Sequence, residues 1–324
     1  MTTCRTILTS VILLLNLSIT LSSSTTTNRG RKIALVTGGT RGIGSGISEA
    51  LAEAGYDLLL TYNTDKDAAS EFSQSIREKY KDSCRRVECV GGDISLPSTR
   101  DEIFSCLDGM TSSDDNGDDD GYLAVMVHNA GQYVGITSDN SDGLEAKPLM
   151  FGDGSLLEED GSTNMDTLNY YHRMYGEAFV DLCERSLVQM NADVGGSLIG
   201  ISSPGPTAHL YNPGPEYSMP GSGKCLMEYS MRIYALKAAE RNINANVVVP
   251  GYVQTEAWTK LAQSRGLPDE KQMMEGLVDR RVPQKKAMLP RDIGDAVAFL
   301  CSEAGRWITG ISLPVDAGLH LNPR

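Results

Sequence analysis

The chain has no Cys-x-x-Cys pair, only four histidines and two tryptophans, and no apolar run of ordinary membrane-spanning length. Its seven cysteines (4, 84, 89, 106, 183, 225 and 301) and its histidines (128, 172, 209 and 320) are scattered at spacings that match no metal-ligand pattern. That excludes a zinc ribbon or a disulfide framework as the organising principle, and no metal site is expected. The cysteines lie in expected strands and helices and read as buried, reduced thiols. Acid is absent from residues 1–48, which carry five basic residues (Arg5, Arg29, Arg31, Lys32 and Arg41). The remainder has 24 basic against 42 acidic side chains, a net charge of −18. A body this acidic lacks the basic face that phosphate backbones require, which excludes nucleic acid as a partner.

Residues 7–21, ILTSVILLLNLSITL, follow a lone Arg5 and precede a Ser/Thr-rich stretch. The run is short for a membrane span and suits a signal-peptide core. A retained anchor is the alternative, and a plastid leader would share the basic, hydroxyl-rich, acid-free composition. Residues 1–30 are therefore read as a signal or transit leader outside the fold. It implies an organelle or the secretory pathway, plastid or endoplasmic reticulum, with a membrane as partner only if the leader is retained.

From Arg31 onward the pattern alternates strand and helix, which predicts a parallel sheet covered on both faces. Strands are expected at 32–36, 57–62, 86–94, 123–131, 196–203, 244–251 and 311–316. Helices are expected at 42–55, 65–80, 98–109, 166–190, 220–241 and 291–302, with 252–289 irregular. Two inserts break the rhythm. SSDDNGDDDG (112–121) holds five Asp in seven residues and reads as a solvated loop. Residues 132–165 follow the fourth strand at the end where ligands bind in such sheets, so a lid and plain decoration are both open.

The first strand runs directly into TGGTRGIG (37–44) and then a helix. Gly38 permits a tight turn, Gly42 lets backbone approach a pyrophosphate, and Gly44 lets helix pack on strand. With Asp93-Ile94, HNAG (128–131), ISS (201–203), a Tyr217/Lys224 pair and VVVPGYVQT (247–255) in order, the chain resembles the short-chain dehydrogenase/reductase family across 31–320. The resemblance implies a single Rossmann-type, doubly wound α/β domain over 31–324. It implies cofactor contacts from Gly38, Thr40, Arg41, Gly42, Ile43 and Gly44 in the turn, and from Asp93 and Ile94 beside adenine. Asn129, Ala130 and Gly131 would lie at the central ribose region, and Pro250, Gly251, Val253 and Thr255 around the nicotinamide. The closing motif, ITGISLPVDAG (308–318), has Ala317 where glycine is usual. Strand two ends Thr61-Tyr62-Asn63 with no acid at its tip, while Arg41 faces that region and can pair with a 2′-phosphate. NADP(H) is therefore expected over NAD(H), with Asn63 among the contacts.

Tyr217 and Lys224 stand seven apart in YSMPGSGK. Seven residues of helix return to within about 20° of the starting direction, roughly 10 Å along the axis; four residues advance about 6 Å. Most family members use the four-residue spacing, and here that position is Pro220, which has no proton to give. Tyr217 is expected just before a helix that Pro220 opens. The Tyr-x6-Lys spacing is similar to that of enoyl-acyl-carrier-protein reductases. It implies hydride transfer to an activated C=C or C=O, Tyr217 stabilising the developing oxyanion and Lys224 tuning the phenol and holding ribose. Ser203 is the expected carbonyl-binding serine, with Ser202 as its alternative and Tyr211 a possible second phenol. Aligned on Gly176, Arg173 stands where ordinary members carry a relay asparagine, and Asn169 is one turn earlier. Trp258, Leu261, Met273 and Met274 are candidate substrate-pocket residues, or simply a packed helix face. The expected substrate is a small molecule or an acyl thioester. The alternatives are a ketoacyl or ketone reductase and a non-catalytic NADP-binding module. A homo-oligomer through the long helices is expected from the family.

Overall fold

A computed structural model describes residues 30–112, 121–131, 150–206, 217–258 and 270–322. The leader, most of the acidic loop, residues 132–149, Tyr211 and Leu261 lie outside the described residues, as does the side chain of Met273.

Seven strands form one all-parallel sheet: β1 (Arg31–Thr37), β2 (Asp57–Tyr62), β3 (Val87–Gly91), β4 (Gly121–His128), β5 (Gly196–Ile201), β6 (Ile243–Pro250) and β7 (Ser312–Val315). Their order is β3-β2-β1-β4-β5-β6-β7, so the chain reverses direction across the sheet between β1 and β4. The central strands are consecutive apolar runs because both faces are covered. Ile33 and Leu35 point into one core with Leu59, Met126, Leu198 and Val247. Ala34 and Val36 point into the other with Leu58, Leu60, Val127 and Val248.

The second core is closed by α1 (Gly42–Glu53), α2 (Lys66–Lys79) and α8 (Pro290–Leu300) through Ile47, Leu51, Ile76, Ile293 and Val297. The first is closed by α3 (Pro97–Thr111), α4 (Asp166–Tyr171), α5 (Ala178–Gln189) and α6 (Ser218–Ala238). α1 and α8 cross at two glycines: a Cβ on Gly294 would lie 2.1 Å from the Gly46 carbonyl oxygen.

Four expectations need correction. The helix read over 166–190 is interrupted by a π-helical turn at His172–Glu177. The stretch 252–289, read as irregular apart from the alternative of a packed helix face, contains α7 (Glu270–Arg281), with Met274 and Val278 buried. α6 starts two residues before Pro220, whose missing N–H falls in the first turn, where helix amides have no intrahelical partner. Cys225 is exposed, whereas Cys84 and Cys183 are buried and Cys89, Cys106 and Cys301 half-buried. The part of the long insert that is described, 150–165, carries a Leu157–Thr163 bridge, and its Phe151 N–H donates to Ser218 Oγ at 3.3 Å, beside the start of α6.

Candidate active site

The carboxyl ends of β1, β4, β5 and β6 bring most of the expected residues to one edge of the sheet. Gly38 and Gly42 have φ of +60° and +54°, values that favour glycine. A Cβ on Gly38 would lie 3.0 Å from Ala130 Cα, and one on Gly44 only 1.9 Å from the Gly38 carbonyl oxygen. Gly42 differs: a Cβ there would meet nothing nearer than the Thr255 methyl at 3.8 Å, so an open slot separates the glycine turn from Thr255. No side chain caps α1 at Arg41, so the first amides of the helix are left at the positive end of its dipole without a side-chain partner there. A dinucleotide pyrophosphate fits that arrangement.

One hydroxyl ties the edge together. Thr37 Oγ1 accepts the N–H groups of Asn129 at 3.0 Å and Ala130 at 2.9 Å, leaving its own proton for His128 Nδ1 at 3.0 Å. His128 must then carry its proton on Nε2, which donates to the Met174 carbonyl at 3.0 Å in the π-helical turn. Burial holds His128 well below the ordinary imidazole value, at about 4, and the Lys224 charge adds to that. Asn129 Nδ2 donates back to the carbonyls of Thr37 at 3.1 Å and Gly38 at 3.0 Å, fixing the turn against β4.

Lys224, 9% exposed, points from α6 to the end of β5, where Nζ donates to the carbonyls of Ile201 at 3.3 Å and Ser202 at 3.2 Å. Burial depresses its pKa to about 8, with Glu228 opposing the shift. Tyr217 stands at the N-cap of α6. The position four beyond it is Gly221, where a Cβ would sit 3.4 Å from Tyr217 Cδ1, so the phenol ring lies over the missing side chain. The Ser203 hydroxyl is buried with no hydrogen-bond partner among the described residues, whereas Ser202 Oγ donates to Glu228. Of the two serines, Ser203 is the one whose hydroxyl is not committed to a described partner.

The remaining expected contacts line the same edge. Asp93, half-buried, accepts the Ser95 N–H at 2.8 Å, and Ile94 is buried. Asn63 and Arg41 are exposed near the tips of β2 and α1, and Thr40 and Ile43 are half-buried. Asp65, the nearest acid after β2, N-caps α2 by accepting the Ala68 N–H at 3.0 Å. Pro250 ends β6, Gly251 packs on Asp316 and Val253 is buried. Thr255 continues into a cleft of about 590 Å³ lined by Trp258, Met274, Val278 and Ala287, with Glu256, Glu275 and Asp279 among its polar groups.

Three participants were not anticipated. Arg173 and Asn169 are both exposed, and the side chain that reaches Lys224 from the long helix is Tyr175, its ring centroid 4.8 Å from Nζ. Tyr175 stacks on Tyr171 at an interplanar angle of 4° and abuts Gly131, where a Cβ would lie 2.9 Å from the phenol oxygen. The π-helical turn shifts the helix register, so counting back from Gly176 missed it. His128 and Glu228 are the other two. A carboxylate four residues after Lys224, on the buried stripe of α6, was the available signal for Glu228.

A family model described as short chain dehydrogenase matches residues 32–150, and one described as Enoyl-(Acyl carrier protein) reductase matches residues 159–320. A chloroplastic tropinone reductase homolog of Arabidopsis thaliana is 27% identical over 289 residues, covering 89% of this chain and 76% of its own. The 3-oxoacyl-[acyl-carrier-protein] reductase of Aquifex aeolicus is 27% identical over 290 residues, covering 89% and 97%. The L-sorbose reductase of Gluconobacter frateurii, solved with NADPH and L-sorbose, superposes with a TM-score of 0.69 at 23% identity, covering 90% of this chain and 97% of that one. An angucycline C-6 ketoreductase with bound NADP gives 0.68 at 26% identity, covering 90% and 99%.

The His128 network makes stability pH-dependent. Between pH 6.5 and about 4 the unfolded imidazole binds a proton that the folded one refuses, so stability falls as pH drops through this window. Denaturant unfolding of wild type and His128→Asn should show wild type losing up to about 3 kcal/mol more than the variant between pH 7 and 4. Parallel pH slopes would contradict the neutral, Nε2-protonated imidazole.

Proposed function

Because the chain belongs to the short-chain dehydrogenase/reductase family and is an oxidoreductase of it, we propose that it uses NADP(H) to reduce a small-molecule carbonyl. The observation that carries this reading is the buried Ser203 hydroxyl just beyond β5, without a partner among the described residues and beside the carbonyls that hold Lys224. When bound, NADPH supplies the hydride. Ser203 and Tyr217 hold the substrate oxygen, and Tyr217 gives it a proton. The Lys224 ammonium lowers the phenol's pKa and holds the nicotinamide ribose. The cleft beyond Thr255, with Trp258 and Met274 on its wall, takes the rest of the substrate.

A second reading, reduction of a C=C conjugated to a thioester, is favoured by the Tyr-x6-Lys spacing. It is favoured also by Arg173, exposed, at the position where ordinary members carry a relay asparagine. An enolate that re-protonates at carbon needs such a relay less than an alkoxide does. The two readings separate in an NADPH assay against an acetoacetyl thioester, simple ketones and a crotonyl thioester. Turnover of the keto substrates, falling at least 100-fold in Ser203→Ala and Tyr217→Phe, is expected. Turnover of the crotonyl thioester alone would overturn the carbonyl reading in favour of the enoyl one. Binding of NADPH without turnover of any would favour a cofactor-binding module.

The preference for NADP(H) over NAD(H) rests on Arg41 at the slot and on Asp65, whose carboxylate is engaged in capping α2. Structures of relatives with NADPH or NADP support it. Arg41→Ala should weaken NADPH binding by about tenfold and leave NADH binding nearly unchanged in a fluorescence titration, as expected for loss of a charge-assisted phosphate contact. Equal losses would refute the 2′-phosphate role. The chloroplastic relative supports reading residues 1–30 as a plastid leader. The exposed stripe Leu226, Tyr229, Ile233 and Leu236 on α6 supports self-association through the long helices.

A further inference from the structure

The buried stripe of α6 contains a carboxylate where packing alone calls for an apolar residue. Glu228 is 3% exposed, on the face that carries Met227 and Met231 into the core. Each of its oxygens receives a hydroxyl: Ser202 Oγ, just beyond β5, donates to Oε1 at 2.5 Å, and Ser312 Oγ of β7 donates to Oε2 at 3.0 Å. Both hydroxyls donate, the arrangement that suits an ionised carboxylate. A buried carboxylate without a counter-charge costs several kcal/mol. The buried cation whose charge couples to Glu228 is Lys224, one helical turn earlier on the same face. Ser202 joins the two, since its hydroxyl bonds Glu228 and its carbonyl accepts from Lys224.

We infer that Glu228 is a positioning residue: clamped by Ser202 and Ser312, it keeps Lys224 an ammonium in the reaction site without touching substrate. The inference rests on the reading of Lys224 as the lysine that tunes Tyr217. Among the described residues, the groups facing Lys224 from its other neighbours supply no second anion. The π-helical turn offers the Tyr175 ring, β4 offers the neutral His128, and β5 offers the two backbone carbonyls. α4 contributes Tyr171 behind Tyr175, β6 carries no ionisable side chain, and β7 contributes Ser312. On α6 itself stand Tyr217, Cys225 and Arg232; Cys225 feels both Glu228 and Arg232. Among the described residues around Lys224, Glu228 is the carboxylate that opposes the effect of burial on it.

The sign follows directly. Lys224 is charged below about 8 and neutral above it. Replacing Glu228 by glutamine keeps the volume and removes the opposing charge, so the ammonium is lost at lower pH. In Glu228→Gln the basic limb of kcat/KM should move down by about one pH unit, with activity at pH 6 within a few-fold of wild type. NADPH binding, followed by nucleotide fluorescence, should lose affinity over the same lowered range. Glu228→Asp, which keeps the charge, should restore both profiles toward wild type. If Glu228→Gln does not fold, Ser312→Ala tests the same clamp away from the lysine and should move both profiles in the same direction by less. A uniform loss at all pH values, or profiles that stay in place, would overturn the inference. If no carbonyl substrate is turned over even by wild type, the NADPH-binding profile decides the role of Glu228 alone, and the catalytic reading fails separately.

Discussion

A positive charge held inside a low-dielectric core is the constraint around which this site is arranged. Lys224 lies at the end of β5, almost fully covered, and burial works against its charged form. What surrounds it offsets that cost in three different ways. Two carbonyl oxygens at the end of β5 accept from it, the Tyr175 ring face lies beside it, and Glu228 sits one turn below. None of these substitutes for water completely, so the lysine stays poised with a pKa of about 8. In the proposed reaction this lysine tunes the Tyr217 phenol, and a fully solvated lysine would do so less effectively.

The same region shows how backbone geometry serves this arrangement. α6 approaches the π-helical turn closely because Gly223 and Gly176 leave room: a Cβ on Gly223 would lie 2.5 Å from the Tyr171 carbonyl oxygen, and one on Gly176 only 2.3 Å from Leu226 Cδ2. That approach brings Tyr175 over Lys224. The π-helical turn in turn presents the Met174 carbonyl to His128, which is tied through Thr37 to the backbone of Asn129 and Ala130. The glycine turn, the β4 loop and the lysine's aromatic neighbour are thus mechanically one unit. Ala317, at φ +53°, accepts a left-handed conformation that costs a non-glycine residue about 1–2 kcal/mol, and it does so next to Asp316, which packs on Gly251.

The alternation of apolar runs and helical stripes in the sequence made the parallel sheet and its two cores legible, because strands covered on both faces leave that signature. The glycine turn was legible for a similar reason, since its residue types answer to φ values and close approaches that only glycine tolerates. Tyr175 was not, because a one-residue bulge in a helix rotates everything counted from an aligned glycine. Glu228 was not, because a single carboxylate on a helix reads as solvated until the strands beside it are known. α7 lay where the sequence left a substrate pocket and a packed helix face both open, because charged residues at half of its positions blur the amphipathic stripe. Ser203 was preferred to Ser202 on the sequence, and the bond from Ser202 Oγ to Glu228 is consistent with that preference.

The claim that the folded body holds a charged lysine against its own desolvation is tested most directly by unfolding wild type and Lys224→Met between pH 7 and 10.5. The folded pKa of about 8 lies below the unfolded value of 10.5, so the folded state carries the penalty in full below about pH 8 and loses it as pH rises to 10.5. Methionine also strips Glu228 of its counter-charge and the Ile201 and Ser202 carbonyls of their donor, so the pH dependence rather than the absolute difference carries the test. From pH 7 to 10.5 wild type should gain up to about 3 kcal/mol relative to Lys224→Met. A difference between the two that does not change with pH would contradict the account.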